Sequence, residues 1–184
     1  MRCVETSLPG LVVLEPVVHG DDRGFFVESF RESTLAGFGI RDQWVQDNHS
    51  RSGRGVVRGM HFALPPGQAK LVRCARGAIL DVCVDLRRGS PTYGRWDAVE
   101  LDDRAMRMVY VPVGFAHGYC VTSDVADVVY KCSEYYDAAL EREISVNDPD
   151  IAIAWPDPPA GLSQRDRDAP RLREIVDDLP FVFA

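Results

Sequence analysis

The chain of 184 residues has a formal net charge of −7, with 46% hydrophobic and 27% charged residues. It is long enough to bury one core and too rich in apolar residues for disorder, and its negative charge excludes a protein that grips nucleic acid through a broad basic surface. The charge is lopsided, with 10 Lys and Arg against 8 Asp and Glu in residues 1–76 but 5 against 11 in residues 137–184, so an anionic ligand is expected against the first half.

Short runs rich in Val and aromatic residues predict strands over 11–14, 24–28, 70–75, 78–86, 108–111 and 125–130. Clusters of Gly, Pro, Asp and Ser at 21–24, 51–55, 76–77, 88–91 and 101–103 predict the turns between them. Within 79–86 the period is two. Leu80, Val82, Val84 and Leu86 share one face, and Ile79, Asp81, Cys83 and Asp85 share the other. Helical pattern is scarce, with short helices predicted over 32–38 and 171–176. The expected class is all-β: a single domain of residues 1–184 whose jelly-roll core, residues 10–135, closes two sheets over a pocket, with the acidic C-terminal segment packed over it. Leu11-Val12-Val13-Leu14 ends at Glu15 and no window approaches a membrane span. Together with five cysteines, an odd number without a Cys-x-x-Cys pair, this predicts reduced thiols and a cytoplasmic protein.

The densest chemistry lies in Arg58-Gly59-Met60-His61-Phe62-Ala63-Leu64-Pro65-Pro66-Gly67-Gln68-Ala69-Lys70, which brings a guanidinium, an imidazole and an amine onto an apolar, proline-turned scaffold. Only two of the 21 basic residues, Lys70 and Lys131, are lysines. Arg is locked in its charged form, whereas a Lys can aim a compact ammonium at a single oxygen. The competing reading makes both lysines ordinary surface residues. Of the four histidines, His61 suits a general base, which needs a carboxylate to fix its tautomer; Asp166 and Asp81 are the candidates. Tyr130 ends an apolar run and points either into the pocket or into its wall. A metal held by His49, His61 and His117 has little support, since no His-x-His or His-x-x-x-His spacing occurs. Arg23, Arg58 and the loop bearing Arg51 and Arg54 are candidate anion ligands; for Arg51 and Arg54 a solvated basic loop is preferred.

Eight motifs in order carry a family resemblance: Asp22-Arg23-Gly24-Phe25-Phe26-Val27-Glu28, Gln46-Asp47-Asn48-His49-Ser50, Val57-Arg58-Gly59-Met60-His61-Phe62, Gln68-Ala69-Lys70-Leu71-Val72, residues 81–87, Gly89-Ser90-Pro91-Thr92-Tyr93-Gly94, residues 112–119 and Leu162-Ser163-Gln164-Arg165-Asp166. Together these resemble the dTDP-4-dehydrorhamnose 3,5-epimerase family and its sugar-nucleotide epimerase relatives. The resemblance implies a cupin-type jelly roll that uses neither metal nor cofactor, and a homodimer that exchanges N-terminal strands. It implies proton exchange beside a keto group at ring carbon 4 of a dTDP-4-keto-6-deoxyhexose, with no nucleic acid or membrane as partner. By the same resemblance His61 is the base, Asp166 its dyad carboxylate, Tyr130 the acid on the opposite face and Lys70 the cation on the enolate oxygen. Arg23, Glu28, Gln46, Asp47, Asn48, Arg58, His117, Glu141 and Arg165 would contact nucleotide, diphosphate or sugar, and Tyr136 would stack on the base. Asp81 would support His61 from behind. Ala63 and Arg165 depart from the family pattern, where many members carry Gln and Lys. The alternatives are an epimerase acting at carbon 3 or carbon 5 alone, a non-catalytic sugar-nucleotide-binding cupin and a metal-dependent cupin oxygenase.

Overall fold

A computed structural model of the chain describes residues 1–156 and 159–183. In chain order the strands are β1 (Arg2–Glu5), β2 (Val12–Glu15), β3 (Val18–Asp21), β4 (Gly24–Val27), β5 (Gln46–Gly53), β6 (Val57–Ala63), β7 (Lys70–Arg76), β8 (Ala78–Asp85), β9 (Trp96–Asp102), β10 (Met108–Val111), β11 (Phe115–Val121), β12 (Val125–Cys132) and β13 (Glu141–Glu143). Two short helices, α1 (Glu32–Gly37) and α2 (Gln164–Asp168), complete the regular elements together with 3-10 turns at Leu172–Glu174 and Val176–Asp178. No helix among the described residues is long and apolar enough to cross a membrane.

Two antiparallel sheets face each other in a cupin-type jelly roll. One has the order β1-β2-β10-β7-β12-β5, the other β13-β6-β11-β8-β9, and β3 and β4 form a separate hairpin. Between the sheets, Val72, Val109, Val111 and Val128 meet Ile79, Cys83, Val99, Phe115 and Tyr119. The period-two reading of β8 explains why both of its faces are buried. Ile79 and Cys83 enter this inner core, while Val82, Val84 and Leu86 join an outer layer formed with Ile144, Val146, Leu172, Leu179 and Phe181 of the C-terminal segment. On the back of the other sheet, Leu35 of α1 packs against Leu14, Leu71 and Met108. Fully burying such a leucine contributes about 2 kcal/mol.

Several strands escape the hydrophobic pattern. In β5 the sequence Gln46-Asp47-Asn48-His49-Ser50-Arg51-Ser52-Gly53 has no apolar residue, because one face lines a polar pocket and the other meets solvent; residues 51–53, read as part of a turn, therefore end a strand. The helix expected over 171–176 is instead the pair of 3-10 turns, ahead of Pro180, which cannot continue a helix. Helix α2 was not anticipated, being only five residues long. Its signal is its cap, with Ser163 Oγ accepting from the Asp166 N–H, the Ser-x-x-Asp form of an N-terminal cap. The Gly89 to Gly94 motif is structural: the buried Asp85 carboxylate accepts from Ser90 Oγ at 2.6 Å, Thr92 Oγ1 at 2.7 Å and the Arg87 guanidinium at 2.8 Å.

One irregularity positions the site. Strand β6 pairs with β11 as His61 to His117 and Arg58 to Tyr119, so three steps on β6 match two on β11. In a regular strand Arg58 and His61 would point to opposite faces; the bulge turns both inward. Val57, Met60 and Phe62 pack into the outer layer. The bulge requires backbone contact, since a Cβ on Gly59 (φ +137°) would lie 2.5 Å from Gly118 Cα. Gly59→Ala is expected to cost about 3 kcal/mol or more in urea unfolding, whereas Gly37→Ala, where the added methyl meets nothing within 4 Å, should change stability by about 1 kcal/mol or less.

Candidate active site

The pocket opens between the sheets and is lined by Gln46, Asn48, Ser50, Arg58, His61, Gln68, Lys70, His117, Tyr119, Tyr130, Tyr136, Glu141, Ser163, Arg165 and Asp166. At its centre His61 Nε2 lies 2.7 Å from Asp166 Oδ1. The carboxylate is almost wholly buried and the imidazole a quarter exposed. Burial opposes ionisation of Asp166, but the His61 contact and bonds from Ser163 outweigh it and hold the carboxyl below its ordinary value. With Nε2 engaged, Nδ1 is the nitrogen left to take a proton.

A second imidazole–carboxylate pair lies alongside. His117 Nε2 is 2.9 Å from Asp81 Oδ2 and both residues are buried. Asp81 therefore holds His117, its neighbour across the β8–β11 pair, and the expectation that it supports His61 is corrected. The register explains the sorting: His117 faces His61 across β6 and β11, while Tyr119 lies opposite Asp81.

The other sheet supplies the remaining chemistry. Tyr130 of β12 lines the pocket, and burial, helped by the nearby Cys132 and Tyr119, pushes its hydroxyl up to about 12. Lys70 begins β7 and also lines the pocket, and burial pulls its pKa down. Tyr119 and Ser50 join their hydroxyls at 2.7 Å, and Arg58 Nε donates to Ser52 Oγ at 3.0 Å. At one rim Arg165 Nε donates to Glu143 at 2.7 Å and Nη1 lies 3.3 Å from Glu141.

Residues 5–174 match the model of the dTDP-4-dehydrorhamnose 3,5-epimerase family. The chain belongs to this family. It is 46% identical over 176 residues to dTDP-4-dehydrorhamnose 3,5-epimerase of Methanothermobacter thermautotrophicus, covering 94% of this chain and 95% of that protein. Its fold superposes with a TM-score of 0.96 and 42% identity on dTDP-6-deoxy-D-glucose-3,5-epimerase of Legionella pneumophila Philadelphia 1, solved with dTDP-4-keto-L-rhamnose, covering 100% of this chain and 98% of that one. It is also similar to ChmJ, a 3'-monoepimerase of Streptomyces bikiniensis solved with dTDP-quinovose, with a TM-score of 0.90 and 43% identity over 97% of this chain and 92% of that one.

Against the expected epimerase site, the structure brings Gln46, Asn48, Arg58, His61, Lys70, His117, Tyr130, Tyr136, Glu141, Arg165 and Asp166 into one pocket. Three residues stay outside. Asp47 faces the back of β5, as alternation demands once Gln46 and Asn48 point inward, and Lys131 Nζ donates to it at 3.0 Å. Arg23 and Glu28 lie on the exposed β3–β4 hairpin and just beyond it, paired with Asp21 and Arg31. His49 also faces outward, 3.6 Å from Asp127, so the His49, His61, His117 metal set is not assembled. Arg51 pairs with the buried Asp127 carboxylate and Arg54 with the exposed Asp124. Ser50, Gln68, Tyr119 and Ser163 line the pocket without having been singled out; for Ser50 the signal was alternation with Gln46 and Asn48.

The Asp166 pair gives a pH signature. Its pKa is lower in the native state than the ordinary value of about 3.9, so its stabilisation is present above that value and lost as pH falls through the native pKa. Asp166→Asn should cost about 1–3 kcal/mol near neutral pH, and the deficit should shrink below roughly pH 4 when urea unfolding is followed across pH.

Proposed function

We propose that the protein is an epimerase acting on a dTDP-4-keto-6-deoxyhexose, inverting the carbons that flank the keto group by proton exchange through an enolate. The observation carrying this reading is that His61 and Tyr130 line one pocket from opposite sheets. Inversion needs a proton removed from one face and returned to the other. His61 takes the α-proton at Nδ1, the C–H electron pair becomes the ring C=C bond, and charge moves to O4. The Lys70 ammonium stabilises that oxyanion, an effect on the order of 3 kcal/mol for a preorganised donor. Tyr130, still protonated at neutral pH, delivers its O–H proton to the opposite face of the carbon as the C4 carbonyl re-forms; solvent then reprotonates Tyr130 and accepts the proton held by His61. The chain's own side chains suffice for this chemistry.

Tyr136 is more than half exposed, and we assign it to stack on the base, with Gln46, Asn48, Arg58, His117, Glu141 and Arg165 toward the nucleotide diphosphate and sugar. Whereas Asp47 stays on the back of β5 with Lys131, Arg23 and Glu28 fit this scheme through a second copy. The segment around their hairpin exposes Val17, Phe25 and Phe26, and a homodimer that exchanges it would cover those side chains and carry Arg23 and Glu28 to the neighbouring pocket. The five thiols, none in a disulfide, suit a cytoplasmic enzyme.

Incubation with dTDP-4-keto-6-deoxyglucose in D₂O should place deuterium at carbons 3 and 5. Label at one carbon would make the protein a single-centre epimerase, and none would defeat the substrate assignment. His61→Asn should lower kcat by about 10²–10⁴ with dTDP affinity little changed. Tyr130→Phe should keep exchange on the His61 face while net inversion falls by a similar factor. Sedimentation should give twice the chain mass; a concentration-independent monomer would remove the exchanged hairpin.

A further inference from the structure

Gln46, Cys132 and Lys70 stand side by side in one transverse row across β5, β12 and β7. Cross-strand neighbours project to the same side of a sheet. The outer two line the pocket and Cys132 between them is buried. A hydrogen-bonded chain runs into this row. The Tyr136 N–H donates to Gln46 Oε1 at 2.9 Å, Gln46 Nε2 donates to Asn48 Oδ1 at 3.0 Å, and Asn48 Nδ2 donates to Cys132 Sγ at 3.4 Å.

The Lys70 ammonium makes no hydrogen bond or ion pair among the described residues. The groups whose charge acts on it most are Cys132 on β12, Cys83 and Asp81 on β8 and Glu141 at the start of β13, and His61, His117, Tyr119, Tyr130, Arg58, Arg165 and Asp166 line the same pocket. The carboxylates are engaged elsewhere, Asp81 with His117, Glu141 with Arg165 and Asp166 with His61. In its own row Lys70 therefore has the Cys132 thiol on one side and the apolar Val111 on the other, so the thiol is its one polar neighbour there.

We propose that Cys132 is a positioning residue for Lys70: a neutral, weakly accepting seat that keeps the ammonium available to an oxyanion and ties its place, through Asn48 and Gln46, to the Tyr136 end of the pocket. This rests on the epimerase reading above. A carboxylate at 132 would capture the ammonium. A thiol sulfur accepts only weakly, and here it already accepts from Asn48. Burial keeps it protonated, raising its pKa more than Lys70 lowers it.

The chain has only two lysines, so ¹⁵Nζ-lysine NMR resolves Lys70 from the Asp47-paired Lys131 without substrate. Lys70 should titrate below the ordinary lysine value in the wild type. Cys132→Asp should raise its titration by at least about one pH unit and lower kcat on the order of 10- to 100-fold, the scale of a displaced reacting group, with KM changed less than about threefold. Cys132→Ala should shift the Lys70 signal and lower kcat at temperatures where the variant remains fully folded, and Cys132→Ser should recover most of the rate. An unmoved Lys70 signal in Cys132→Ala, or a rate loss that only tracks lost stability, overturns the proposal; those readouts stand even if Cys132→Asp does not fold. Absence of deuterium exchange by the wild type would instead sink the epimerase reading, and the Lys70 titration would still decide the role of Cys132.

Discussion

The pocket depends on the bulge between β6 and β11. Two glycines, Gly59 and Gly118, let the strands approach so closely that neither position has room for a Cβ. The slipped register puts Arg58 and His61 on one face. It also sets His61 opposite His117, placing two imidazoles side by side with separate carboxylates behind them. Without the slip, one of Arg58 and His61 would point into the outer hydrophobic layer.

The two pairs differ in setting. His117 and Asp81 are both buried on adjacent strands of one sheet, so the pair forms a rigid wall. His61 keeps a quarter of its surface open, and its carboxylate arrives from α2, outside the sheets. A base must exchange protons with what enters the pocket, and this histidine alone of the two is placed to do so. Ser163 caps α2 and bonds to Asp166, so the cap that starts the helix also orients the carboxylate.

Charge is apportioned by element. Arg58 and Lys70 come from the basic first half of the chain, and Arg165 from the acidic second half. Arg165 is held between Glu141 and Glu143, which offset its charge. The unneutralised cations facing an anionic ligand are thus those of β6 and β7, in keeping with the lopsided charge of the sequence.

Much of this was legible in the chain. The strands of β7, β8, β10 and β12 carry apolar periodicity that forces them into a core, the scarcity of lysine marked Lys70, and the ordered motifs pointed to the family. Strands such as β5 were not legible, since a polar pocket on one face and water on the other leave no hydrophobic alternation to read. The sequence by itself determined which groups are present and the class of fold, because burial and turn chemistry are local and periodic. Which carboxylate serves which histidine, the turning inward of Arg58 beside His61, and the outward facing of Asp47 and His49 were decided only by tertiary structure. The His117–Asp81 pairing and the facing of the strand residues follow from strand register, and the His61–Asp166 pairing from the docking of α2 beside β6; both are set by contacts between residues distant in the chain.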